Sequence, residues 1–115
     1  MKNEEKLKEE LHRTRNALDK IEGERQRKAN RKNLGKCFKY ENSYGTGDKW
    51  PLYLRIRKAG QIMEGHQFEK TSTGRFETHR NTYVSNLDSY TEIPLSEFQT
   101  AWQKFVRELK ALLNG

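Results

Sequence analysis

The sequence predicts an α+β protein: a charged N-terminal helix, then a small antiparallel β meander or SH3-like barrel, then a C-terminal amphipathic helix. Three observations carry this. Good helix formers run without proline from Asn3 to about Arg31, aromatic and β-branched residues punctuated by turn signals begin after Leu34, and apolar residues recur at helical spacing from Ser96 onwards. A chain of 115 residues holds one core, so the division is a helical appendage over 1–33 and a β domain over 34–115 closed by a helix over 96–113. Apolar residues make up 32% against 34% charged, close to the disordered regime, but two Trp, five Tyr and five Phe supply the burial units that disordered segments lack.

The N-terminal helix is supported by opposite charges four apart, in Glu4 with Lys8, Glu9 with Arg13 and Glu24 with Lys28. Leu7, Leu11, Thr14, Leu18 and Ile21 follow the spacing of a coiled-coil seam, which ends when Arg25 and Lys28 take the next core positions. Leu7, Leu11, Leu18 and Ile21 are therefore the expected partner-binding stripe, and a weak homodimer through them is the expected oligomer. Gly23 costs about 1 kcal/mol relative to Ala inside a helix, which predicts a break or fraying point there.

The net charge of +7 is concentrated. Residues 1–23 are neutral, residues 24–36 hold Arg25, Arg27, Lys28, Arg31, Lys32 and Lys36 against Glu24 alone, and the remainder is nearly balanced. Such a run can follow a polyphosphate and release its counterions, or can be a solvated face; the lack of local acid favours a polyanion contact.

Strands are expected at about 36–41, 49–58, 62–70 and 75–84, with a short fifth at 91–93. The connections are 42–48, Ala59-Gly60, Ser72-Thr-Gly74 and 86–89, and their shortness implies antiparallel hairpins. Ser96-Glu-Phe-Gln99 after Ile93-Pro94-Leu95 has the pattern of a capping box. Phe98, Ala101, Trp102, Phe105, Leu109 and Leu112 share one face of the helix that follows, which is expected to cover the sheet as its core.

The second strand has the clearest alternation. Leu52, Leu54 and Ile56 point one way, as core, while Tyr53, Arg55 and Arg57 point the other. An aromatic ring interleaved with guanidinium groups suits stacking on bases and pairing with phosphates. The competing reading is a solvated face whose arginines pair with Glu64, Glu69 or Glu77 across the strands. Both stand on the sequence alone.

Enzymatic readings find little. His12, His66, His79 and Cys37 lack metal-ligand spacing, so no metal or cofactor is expected. Gly45-Thr-Gly47-Asp-Lys49 matches a phosphate loop only in composition. His79-Arg80-Asn81 with Glu77 or His66 is a combination that a polar strand produces by chance, and Cys37 reads as a small buried residue, so no catalytic residue is assigned.

The strings Leu34-Gly-Lys-Cys-Phe-Lys-Tyr-Glu-Asn-Ser-Tyr44, Trp50-Pro-Leu-Tyr-Leu-Arg-Ile56 and Tyr90-Thr-Glu-Ile-Pro-Leu-Ser-Glu-Phe98 resemble small proteins encoded by phages and prophages. The resemblance covers the β domain and final helix, and it implies a regulator or inhibitor of host machinery, including nucleic-acid-guided defence, without supplying a site residue. The expectation is a non-enzymatic binding protein that engages nucleic acid or a nucleoprotein through the Arg25–Lys36 run and the Tyr53, Arg55, Arg57 face. The competing expectation is a module that holds an acidic protein through the N-terminal helix. One cysteine and no long apolar run point to a reducing cytoplasm, that of a host cell for a phage protein, and to no membrane partner.

Overall fold

The computed structural model describes residues 2–43, 45 and 47–115. Helix α1 spans Lys2–Arg31, and strands β1 to β5 span Cys37–Ser43, Lys49–Ala59, Met63–Lys70, Phe76–Val84 and Thr91–Ile93. Helix α2 spans Leu95–Asn114. Tyr44 and Thr46, in the connection and the glycine-rich string read over 42–49, lie outside the described residues. The strands form one antiparallel sheet in the order β4-β3-β2-β1-β5. Of the two expected topologies, β1 to β4 follow the meander, β5 crosses back to the outer side of β1, and the sheet is not closed into a barrel. The three residues of β5 are taken up by β1, with Cys37 opposite Ile93 and Lys39 opposite Thr91, and β4 remains the far edge.

α1 passes through Gly23 without the expected break. Its C-terminal end is held against the β2–β3 connection by buried Asn30, whose amide donates to the carbonyls of Gly60 at 2.8 Å and Gln61 at 3.1 Å while its own oxygen accepts from Gln26. That docking offsets the local cost of the glycine. Gly35, at φ 80°, then turns the chain into the sheet, its N–H donating to the Ile56 carbonyl at 2.8 Å. The rest of α1 projects away, and the molecule measures 76 × 31 × 24 Å along its principal axes.

Both faces of the sheet carry a core. On one, Phe38, Leu52, Leu54, Ile56, Met63 and Val84 are closed over by Tyr40, Leu87 and Tyr90. On the other, Phe68 packs with Phe98 and Phe105 of α2, with Cys37, Tyr53, Phe76, Ile93 and Trp102 around them. α2 therefore lies on the Tyr53 face, not on the Leu52, Leu54, Ile56 face that the alternation of β2 marks as core. The neighbouring strands decide this: Tyr53 pairs with Phe68 and Phe68 with Thr78, so β3 brings an aromatic ring to a face that β2 lines with arginines. Leu112, expected in the apolar stripe, is exposed beyond the sheet. The capping box does not form either. α2 begins one residue ahead of Ser96, behind Pro94, with no side-chain cap and with the Glu97 N–H donating to the Pro94 carbonyl at 3.1 Å.

Gly65 lets β2 and β3 close up. A Cβ there would lie 2.5 Å from the Arg55 carbonyl oxygen and 2.9 Å from Leu54 Cδ1. Gly65→Ala must push the two central strands apart, which is expected to cost about 1–3 kcal/mol, as overpacking does. Urea unfolding followed by far-UV circular dichroism checks this, and a midpoint equal to wild type would refute the close approach.

Candidate nucleic-acid interface

The sheet has two irregularities, and both bear arginines. Ile56 pairs with Gly65 and Lys58 with Glu64, which makes Arg57 an extra residue on β2. Gly65 pairs with Thr82 and Gln67 with His79, so Arg80 and Asn81 of β4 both stand opposite His66. A bulge re-aims the side chains beside it. Here the two bulges flank His66, and Arg55, its direct partner across the ladder, completes the set.

Arg55, Arg57 and Arg80 line one groove of about 670 Å³ with His66 and Thr78. The opposite wall is the N-terminal half of α2, through Phe98, Gln99, Trp102 and Gln103. No carboxylate lines it. The three acids that could have neutralised the arginines are engaged elsewhere. Buried Glu69 accepts from Trp50 Nε1 at 2.9 Å and from Asn42 at 3.3 Å, Glu77 pairs with Arg75 at 3.5 Å, and Glu64 faces the Asn81 amide, whose nitrogen donates to it at 3.2 Å once the amide is turned to satisfy its neighbours. Among the described residues no ion pair includes Arg55, Arg57 or Arg80, so the cross-strand pairing reading is overturned.

His66 forms the floor. The Thr78 hydroxyl donates to the Gln67 carbonyl at 3.3 Å, which leaves Thr78 Oγ1 to accept from His66 Nε2–H at 3.0 Å. Its ring meets Trp102 edge to face with centroids 4.9 Å apart. Burial, then the charges of Arg57 and Arg80, push its pKa below the usual histidine value, so the imidazole is neutral at neutral pH. An anion placed among the arginines would relieve that repulsion.

The other sequence-derived residues are dispersed. Tyr53 shares the face of Arg55 but lies outside the groove, stacked on Phe68 at 5.1 Å with Lys39 5.9 Å from its ring centre. In the basic run, Arg25, Arg27, Lys28, Arg31 and Lys32 are exposed, while Lys36 pairs with Glu92 at 3.3 Å. At about 100° per residue, Arg25, Arg27, Lys28 and Arg31 fall within about 160° of one another around α1, and Lys32 follows one residue beyond its end, so the run forms one broad exposed flank rather than a groove. Leu7, Leu11, Leu18 and Ile21 are 59, 61, 53 and 47% exposed, free of the β domain.

His66, Arg80, Gln99, Trp102 and Gln103 were not legible as one site. Trp102 reads as core, Gln99 as part of a cap, and His66 and Arg80 as chance polar residues; only their common position beside the arginines of β2 unites them. His79 pairs with Gln67 and so points to the other face from His66. Cys37 is buried, and burial raises its thiol pKa against a smaller opposing effect of Arg55, the reverse of what a nucleophile needs. Among the described residues no group of three His, Cys, Asp or Glu side chains could hold a metal, and no helix is long and apolar enough to cross a membrane. Neither a protein-family model, nor a curated protein, nor a solved structure matches this chain.

Proposed function

We propose that this protein is a non-enzymatic binding protein for nucleic acid, free or within a nucleoprotein, and that the groove of Arg55, Arg57 and Arg80 is its primary contact. The observation that carries the reading is three convergent guanidinium groups with no carboxylate among the groove residues. Like charges gathered in one groove attract a polyanion, and planar guanidinium forks match phosphate oxygens in pairs. The exposed flank formed by Arg25 and Lys28 of α1 and Lys32 just beyond it supplies a second, looser contact. The resemblance to phage proteins makes interference with host nucleic-acid machinery, in a host cytoplasm, the natural use of such binding.

Filter binding against single-stranded and duplex DNA and RNA at two salt concentrations tests the reading. For about five phosphate contacts, log affinity should fall with log salt at a slope of roughly 3 to 5. Absence of binding to all four at low salt would overturn it.

The exposed stripe of Leu7, Leu11, Leu18 and Ile21 favours a second reading, in which α1 is a protein-interaction element. The helix around the stripe balances acidic and basic residues over 1–23, so it complements another copy of itself better than an acidic partner. A weak dimer is the expected state. Sedimentation equilibrium should give a mass that rises with concentration for the wild type and a constant monomer mass for L11K/L18K. Equal behaviour of the two would place any association elsewhere.

A further inference from the structure

Trp102 and Gln103 line two hollows at once. One is the arginine groove, and the other, of about 400 Å³, is also bounded by Val106, Arg107 and Lys110. The second hollow, like the first, has no acidic lining residue. Gln99, Gln103, Val106, Arg107 and Lys110 follow helical spacing along one flank of α2, a distance of about 16 Å at 1.5 Å per residue. Cationic side chains thus stand on both sides of a half-buried indole, with two glutamine amides one turn apart beside it.

We propose that this flank is a track for single-stranded nucleic acid, in which a base lies against Trp102 while its neighbouring phosphates are held by Arg55, Arg57 and Arg80 on one side and by Arg107 and Lys110 on the other. The inference rests on the nucleic-acid reading above and deepens it. Three features select a single strand. Half-buried Arg55 and exposed Arg57 and Arg80 line a groove between sheet and helix whose volume is within the roughly 300–1,000 Å³ that accepts a small ligand. A duplex presents its phosphates on a wide convex surface and keeps its bases stacked inside, so it can meet neither the groove floor nor the indole. An aromatic ring flanked by cations is the recurring arrangement for unstacked bases, sequence-tolerant because every base has a π face. Inside the track, Trp102 is braced by Phe68 at 5.1 Å and Phe105 at 5.4 Å between ring centres, which holds the indole in place before the base arrives. Gln99 and Gln103 each offer both a donor and an acceptor to whichever base edge is turned outward.

The test is fluorescence anisotropy of the full chain with labelled 12-residue oligonucleotides, single-stranded and duplex, as DNA and as RNA, at two salt concentrations. Single strands should bind at least about tenfold more tightly than duplexes of equal length. Trp102→Ala should weaken the single-strand complex by about 5- to 100-fold, the worth of one base stacked on an aromatic ring, and leave the salt slope unchanged. Because Trp102 also packs in the domain, the exposed pair R107Q/K110Q provides a second measurement, expected to lower the single-strand slope by about 0.7 for each charge removed. Duplexes bound as well as single strands, or slopes unaltered by R107Q/K110Q, would overturn the track while the nucleic-acid reading survives. Absence of binding to every oligonucleotide would overturn both.

Discussion

Phe68→Ala should leave the β domain only marginally stable at room temperature. Phe68 is 2% exposed, and its ring lies within 5.1–5.3 Å, centre to centre, of Tyr53, Phe98, Trp102 and Phe105. It is the central one of the sheet residues, with His66 and Phe76, whose rings pack on α2. Truncating a buried phenylalanine typically costs about 3–5 kcal/mol, because the lost transfer energy is joined by that of the cavity left behind. Small domains have roughly 5–15 kcal/mol in all, and a chain with 32% apolar residues split between two cores belongs at the lower end. Urea unfolding should show a midpoint lowered by about 2 M or more, with loss of near-UV circular dichroism from the tryptophans. Leu112→Ala, at an exposed position of the same helix, is the control and should lie within about 0.5 kcal/mol of wild type. A Phe68→Ala protein as stable as the control would mean that α2 is held on by something other than the aromatic cluster.

The same residue marks the limit of what the sequence discloses. The helices, the strand boundaries and the antiparallel order are local consequences of periodicity and turn chemistry, so they are readable in one dimension. Even Thr91–Ile93, three residues long, is bracketed by its turn signals. The choice of sheet face for α2 is not local. β2 read alone offers an apolar face and an arginine face, and only its pairing with β3 reveals that Phe68 joins the arginine face. The site suffers in the same way. Arg55 and Arg57 are legible from alternation, but Arg80 arrives through a bulge on another strand, and a bulge breaks the alternation on which the reading depends. The charge run of α1 is the opposite case. It dominates the sequence as a block and stays on one exposed flank of the helix and its end, where nothing encloses it, whereas three arginines scattered over 26 positions of sequence gather in one groove.

That difference between clustered in sequence and clustered in space leads to the largest expected effect on binding. The charge reversal R55E/R57E/R80E should reduce affinity for nucleic acid about 1,000-fold at low salt, while R25E/K28E/K32E should reduce it by only about tenfold. A hydrogen bond to a charged group contributes roughly 1.5 kcal/mol at the low end, and three made together to one bound strand give about 4.5 kcal/mol. The cations of α1 stand on a solvated helix, where each is worth a few tenths of a kcal/mol to at most about 1 kcal/mol and is screened within about 10 Å at 0.1 M salt. The two variants should also differ in salt response, since removing contacts that a strand actually makes lowers the slope by about 0.7 per phosphate, whereas removing diffuse charge mainly slows association. Among the described residues Arg55, Arg57 and Arg80 make no ion pair, so their reversal is not expected to lower the urea midpoint, and circular dichroism would verify that the lost affinity is not lost structure. If the α1 variant instead loses the greater share, the polyanion runs along the helix, and the groove between β2, β4 and α2 serves some smaller anion.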